Sequence, residues 1–500
     1  MATLKELVKG VMSIDPAAPA LEFEKHWTSW GELTEIITAI DGILAANGIG
    51  PGTRIGGILR NTPQIAALII GTITGDRCIV TLNPALPDDK LVADIIGLEV
   101  PVVAALSEDW ARPAVADAVR QVGALGIEIT GDRAEPVRVV SPLTGSNFRR
   151  EAEGVGIEML TSGTTGAPKR IPLKAVNFET GVLDAAAFEN RDPAQAPRLS
   201  RAVTILNTPF SHIGGIFGLF VTLSAGRKGC MLDRFRVSDF VDAVQRHKPK
   251  VVGAPPSALR MILDADVPKE ALSSLVAFRT STAPLDPDLA DQFEEYFGVP
   301  VLQNYGATEF AGGVAGWTLP EFRKTGKQRR GSVGKMLANV EGRVVDPESG
   351  APLPYGEKGV LELRAKHLGD GTSWIRTTDL AKMDEDQYLW ILGRADNAII
   401  RGGFKIIPDD VVRAIESHPA VLEACVVALP DPRLGQVPAA AFRVKNGMDV
   451  GETELKDYLR ERLTAYQVPV RLMKVDDFPR TPSMKPSQPE LKRLFEAAVA

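Results

Sequence analysis

Cysteine is nearly absent from this chain: three in 500 residues, Cys78, Cys230 and Cys425. They are odd in number, far apart, and show no C-x-x-C or Cys/His ligand spacing, so a disulfide framework or a zinc motif is not expected. A reducing, cytoplasmic setting is the expected one. Long apolar runs are also missing. The greasiest stretch, Ile65 to Gly75, is too short and too rich in Gly and Thr to span a bilayer, and the first ten residues carry no signal-peptide core. No stable membrane anchoring is expected. Nor is there an excess of positive charge: 57 basic against 63 acidic residues give −6 at pH 7, which provides no global field to gather nucleic acid or an anionic membrane.

What remains is an ordinary globular composition, 44% hydrophobic and 24% charged with 46 Gly and 36 Pro, in a chain long enough for several cores. Ser29-Trp30-Gly31-Glu32 fits a capping box. Behind it Leu33, Ile36, Ile37, Ile40 and Leu44 recur at helical spacing, predicting an amphipathic helix that stops near Gly48. Strands are expected at Arg54 to Leu59 and Cys78 to Leu82, with helices at Pro63 to Ile73 and Asp88 to Ile96. This alternation argues for layered α/β structure with largely parallel sheets. A second alternating stretch starts with a strand at Val203 to Leu206 and includes a helix at Val237 to Arg246.

From Pro408, well placed in a helix first turn, the pattern becomes a compact α+β arrangement: a helix to Ser417, strands Val421 to Leu429 and Ala439 to Val444, a helix Glu452 to Leu463, and a strand Val470 to Val475. A boundary is expected near Gly393.

The strongest local signal is Leu160 to Arg170, LTSGTTGAPKR. An apolar strand runs into Thr161, Ser162, Gly163, Thr164, Thr165 and Gly166, with Lys169 beyond. Glycines let backbone N–H groups approach an anion, the hydroxyls add donors and the lysine adds charge, all of which suit a polyphosphate. The spacing is not G-x-x-x-x-G-K-[ST], so the ordinary P-loop reading fails. Taken alone, the segment is also compatible with a polar surface loop.

This motif resembles the phosphate loop of the adenylate-forming superfamily, and three more segments match in order. Asn304-Tyr305-Gly306-Ala307-Thr308-Glu309 resembles the family's Y-G-x-T-E segment, Trp374 to Arg394 its T-G-D…G-R block, and Arg480 to Lys485 its C-terminal P-x-G-K segment. The resemblance covers essentially the whole chain and points to the acyl-CoA and aryl-CoA synthetase branch. It implies a large N-terminal domain over 1–393, a hinge at 394–397 containing Asp396, and a small rotating C-terminal domain over 398–500.

The roles it implies are these. Thr161 to Gly166 and Lys169 would cradle ATP phosphates, and Thr161 and Glu309 would hold Mg²⁺, for which a carboxylate is a suitable hard ligand. Thr308 would donate to the α-phosphate, with Asn304, Tyr305, Gly306 and Ala283 around the adenine. Asp379 would accept from both ribose hydroxyls, and Arg394 would lie near ribose or phosphate. Lys485 would bridge carboxylate and α-phosphate, His212 would flank the acyl site, and Gly402 and Gly403 would border the pantetheine path of coenzyme A.

Three departures stand out. Thr378 replaces a usual glycine, which raises the expectation that the turn before Asp379 differs; Met484 replaces another beside Lys485; Ser281 and Thr282 replace two more. The activity implied is ATP-dependent ligation of a small carboxylic acid, aryl, alicyclic or fatty, to coenzyme A through an acyl-adenylate. Loading of a carrier protein or another acceptor, and a non-catalytic nucleotide-binding homologue, are the alternatives. Nothing in the sequence sets an oligomeric state.

Overall fold

The computed structural model describes residues 2–161, 169–188, 196–395, 397–401, 404–481 and 485–498. They gather into two compact units. The first runs to Val340 and takes in Ala365–Ser373; the second holds Glu341–Arg364 and the chain from Trp374 onward.

The first unit begins as the periodicity predicts. Ser29 Oγ accepts from Glu32 N at 3.2 Å while Ser29 N donates to the Glu32 carboxylate at 2.7 Å, and the helix Trp30–Ala46 buries Leu33, Ile36, Ile40 and Leu44. Its largest sheet has seven strands, in the order Val137–Ser141, Leu125–Ile129, Val102–Leu106, Arg54–Ile58, Cys78–Leu82, Val155–Thr161 and Lys169–Lys174. The inner strands are parallel and the two outermost pairings antiparallel. Strands Arg54–Ile58 and Cys78–Leu82 are buried at every position, which is why they read as continuous apolar runs rather than alternating ones.

One exception to that apolar run organises this sheet. Arg54 is fully buried and forms a two-pronged ion pair with Glu158, at 2.9 and 2.7 Å, across 104 residues of chain. Its remaining donors go to the carbonyl oxygens of Leu98 and Arg149, at 2.8 and 3.0 Å. Glu158 lies three residues before the end of the strand that feeds the Thr161–Lys169 connection.

A four-stranded sheet of the same unit has the order Val203–Leu206, Lys228–Met231, Pro19–Phe23, His26–Ser29. A third array sets Val251–Gly253, Ala277–Thr280 and Val301–Ala307 in parallel, then turns back antiparallel through Gly312–Gly316.

In the second unit, antiparallel strands Gly359–Ala365, Ile375–Met383 and Tyr388–Arg394 precede the C-terminal sheet. There the long hairpin Val421–Asp431 and Gly435–Val444 is joined by Arg471–Lys474 in parallel. Its turn forms because the Asp431 carboxylate accepts from the backbone N–H groups of Arg433 and Leu434, which extends both strands beyond their apolar runs. Alternate residues face opposite ways: Val426 packs with Val411, Ile415, Leu455 and Leu459, and Val427 with Leu491 and Phe495. Pro408 opens the helix Pro408–Glu416 as expected.

Glu158→Gln leaves the Arg54 guanidinium buried without its counter-charge and is expected to lower unfolding free energy by about 3–5 kcal/mol. The double variant Arg54→Met/Glu158→Leu should lose less than the sum of its two single changes. Urea unfolding of the parent, Glu158→Gln, Arg54→Met, Glu158→Leu and the double variant checks both; additive losses in the last three would show the two side chains to be independent.

Candidate active site

The residues singled out in the first unit collect where strands end. Thr161 and Lys169 are register partners at the open end of an antiparallel pair, so the segment between them connects two adjacent strands. Ser162, Gly163, Thr164, Thr165 and Gly166 lie outside the described residues. The strand Lys169–Lys174 packs against the short 3₁₀ turn Thr308–Phe310. Thr308 is half-buried and Glu309 exposed.

Asn304, Tyr305 and Gly306 occupy the last turn-ward half of the strand Val301–Ala307. The Tyr305 ring meets Phe310 edge-on, with centroids 6.0 Å apart. Gly306 is required by close backbone approach, since a Cβ there would stand 2.5 Å from the Gly312 carbonyl oxygen. The neighbouring strand Ala277–Thr280 runs parallel with Thr280 opposite Gln303, so Ser281 to Leu285, Ala283 among them, leave the sheet beside Asn304. Ligands of open α/β sheets gather at such carboxyl ends.

His212 precedes the helix Ile213–Ser224 as its N-cap residue, half-buried, with its backbone N–H donating to Pro209 O at 2.9 Å. The segment before it is riveted by Asn61, which sequence reasoning missed. Asn61 Oδ1 accepts from Phe210 N at 2.8 Å, and its amide donates to the carbonyls of Thr208 and Leu232 at 3.0 and 3.1 Å. Gly215 serves the backbone and not a roomy pocket: a Cβ there would lie 2.3 Å from Pro209 O. At Gly181 a Cβ would likewise meet backbone, the Ala311 carbonyl oxygen at 2.8 Å, with the Phe217 ring at 3.5 Å, and at Gly312 the same ring would be 3.3 Å away. Phe210, Phe310 and Trp317 are buried core residues.

In the second unit the structure assembles three residues that are far apart in sequence. Asp379 and Arg394 are direct partners on adjacent strands, and Arg394 Nη2 donates to Thr378 Oγ1 at 2.7 Å. Lys485 joins them. Burial, and after it the Arg394 charge, hold its ammonium pKa below the usual lysine value, while Asp379 acts in the opposite direction. The backbone around Lys485 is clamped: Thr481 N donates to Lys485 O at 2.8 Å, Lys485 N to Thr481 Oγ1 at 3.3 Å, and Ser487 N to Pro479 O at 2.7 Å. Arg480 anchors the clamp on Glu423 at 2.7 Å.

Asp409 was also not foreseen. Its carboxyl is raised by burial first, with Asp379 adding to the rise and Arg394 opposing it. It lies so close to the chain that a Cβ on Gly393 would meet it at 2.7 Å. Asp396, Gly402, Gly403 and Met484 lie outside the described residues.

The glycine replacements divide. Thr378 lies within the extended strand Ile375–Met383, so a β-branched residue fits there and the expected distortion ahead of Asp379 does not arise from its backbone. The strain falls instead at Thr282, whose φ is +74°. A β-branched residue at positive φ is a genuine outlier. Thr282→Gly is therefore expected to raise unfolding free energy by about 1 kcal/mol, the strain relieved less the entropy glycine adds to the unfolded chain. Denaturant unfolding checks it, and a loss of stability would show that the threonine side chain holds the loop.

The model of the AMP-binding enzyme family matches residues 12–371, and that of the AMP-binding enzyme C-terminal domain matches 413–485. A 4-coumarate–CoA ligase of Vanilla planifolia is 25% identical over 483 residues, covering 91% of this chain and 86% of its own. A sulfoacetate–CoA ligase of Cupriavidus necator is 27% identical over 505 residues, covering 92% and 91%. Among solved structures, ATP-bound MatB from Rhodopseudomonas palustris superposes with a TM-score of 0.82 at 24% identity, over all of both chains. With a family model matched over most of its length and a second over its C-terminal unit, the chain belongs to the AMP-binding enzymes, the adenylate-forming ligases.

Proposed function

We propose that this protein is an AMP-forming carboxylic acid–CoA ligase whose acid is apolar: aryl, alicyclic or fatty. The observation that carries the adenylation half is the cluster of Lys485, Arg394 and Asp379. Lys485 and Arg394 share a half-buried place with Asp379, and burial works against the lysine's charge. An incoming anion favours the charged ammonium, which suits a site for a phosphate and a carboxylate together.

In the first half-reaction the substrate carboxylate attacks the α-phosphorus of ATP, the bond to the β-phosphate oxygen breaks, and pyrophosphate leaves with its electron pair. Lys485 donates to carboxylate and α-phosphate oxygens as negative charge builds there. Thr308 donates to the α-phosphate, Asp379 accepts from the ribose hydroxyls, Arg394 lies by ribose or phosphate, and Tyr305 stacks on adenine. Asn304, Gly306 and Ala283 border the base. In the second half-reaction the coenzyme A thiolate attacks the acyl carbon and AMP leaves. Rotation about Asp396, within a hinge at 394–397 between domains 1–393 and 398–500, would exchange Lys485 for the Gly402-Gly403 loop.

Glu309 offers an exposed carboxylate on the turn packed against the Lys169–Lys174 strand, and hard oxygen donors of this kind fit Mg²⁺. Glu309 and Thr161 would hold it, and when bound it supplies neutralisation of phosphate charge. His212 is assigned to the acyl side, supported by its place ahead of the helix that carries Phe217, whose ring meets Gly181 and Gly312. The half-buried Phe217 ring on that helix supports an apolar acid. A panel of aryl, alicyclic, fatty and dicarboxylic acids assayed for pyrophosphate release tests the class; preference for a short dicarboxylate would overturn it.

Lys485→Ala is expected to slow adenylation by roughly 10²–10³, the usual worth of one aimed charge. Thioester formation from supplied acyl-AMP should stay near the parent rate, and single-turnover assays of each half separate the two. Equal loss in both halves would make the lysine structural. Asp379→Ala should raise the KM for ATP far more than that for the acid, read from initial rates with each substrate varied in turn.

A further inference from the structure

The four-stranded sheet carries a row of side chains that adenylation does not use. Cys230 is the register partner of Glu22 on one neighbouring strand, and Glu22 that of Trp27 on the next, so the three lie side by side on one face. The helix Val237–His247 ends against this row and delivers its last two residues to it. Arg246 Nη1 reaches Glu22 Oε1 at 2.6 Å, His247 Nε2 reaches Glu22 Oε2 at 2.9 Å, and Cys230 Sγ lies 3.8 Å from Glu22 Oε1. Trp27 closes the side, edge-on to the His247 ring at 5.8 Å. Glu22 is 1% exposed and Cys230 2%.

A buried carboxylate requires a counter-charge, and Arg246 alone supplies one. The additional convergence of a thiol and an imidazole on the same carboxylate is what a simple ion pair does not need. One oxygen, one sulfur and one nitrogen ligand atom all lie within 4.8 Å of one another. Ligand atoms around a tetrahedral zinc stand about 3.3–3.8 Å apart, given its bond lengths, so small side-chain movements close the set. His247 Nε2 is also 2.9 Å from Arg246 Nη1, and a neutral imidazole nitrogen cannot both donate to Glu22 and accept from Arg246. A cation taking that lone pair resolves the conflict.

We propose that Glu22, Cys230 and His247 form a tetrahedral site for a thiophilic divalent cation, zinc by its donor set, which displaces the Arg246 guanidinium. Arg246 has somewhere to go, since its Nε already donates to Asp242 at 2.8 Å. Its side chain is 32% exposed, which marks the entry path. The cation binds Cys230 as thiolate, so one proton leaves to solvent per ion, and water completes the fourth position. Bound metal staples the Pro19–Phe23 strand to the Lys228–Met231 strand and to the end of the helix.

The test is titration of the chelator-treated full chain with Co²⁺ alone, followed by Zn²⁺. One equivalent of cobalt should give a sulfur-to-cobalt charge-transfer band with tetrahedral visible bands, and zinc should abolish both. Cys230→Ser should lose the charge-transfer band, whereas Cys78→Ser and Cys425→Ser retain it. Arg246→Met, which removes the competing cation, should bind about tenfold more tightly. No thiolate band in the parent chain, or an unchanged band in Cys230→Ser, overturns the proposal.

Discussion

The buried pairing of Arg54 with Glu158 is the constraint on which the first unit's largest sheet depends. Two strands separated by a third are tied by two short hydrogen bonds, and the other guanidinium donors take up carbonyls of Leu98 and Arg149, ahead of the strand that carries Glu158. A charge pair in such a place is costly to form, but costlier to break from one side, so it sets register more than it adds stability. The strand it holds is the one that leads into the Thr161–Lys169 connection. The position of Thr161 at the end of that strand is thus set by an interaction at its middle.

Elsewhere the candidate site is built by backbone proximity. Gly306 lies against Gly312, Gly215 against Pro209 and Gly181 against Ala311, and Asn61 satisfies two backbone groups of the loop before His212 together with the Leu232 carbonyl. At such positions, Gly215 among them, the small residue is required by packing. The second unit works differently, through charge: Lys485, Arg394, Asp379 and Asp409 influence one another, and the Lys485 backbone is held by its own hydrogen-bonded clamp.

Much of this was legible in order along the chain. Capping chemistry and periodicity placed the Trp30–Ala46 helix, apolar runs placed the buried strands, and four motifs carried the family resemblance. Glycine counting was less dependable. Thr378 looked strained by analogy and lies in an extended strand, whereas Thr282 bears the positive φ. Whether a position needs glycine depends on φ, which a single sequence shows only where turn chemistry is strong.

What the sequence determined by itself was everything that repeats at short range: helical and strand periods, caps, and the residue types that phosphate and carboxylate chemistry requires within a few positions of one another. Only the tertiary structure decided which distant residues meet. Arg54 and Glu158, Asp409 beside the Gly393 backbone, and the meeting of Glu22, Cys230 and His247 each join segments that share no spacing pattern. The physical reason is that local propensity acts over about one turn of helix or one strand pair, while the energy of a buried charge depends on whatever the finished packing sets beside it.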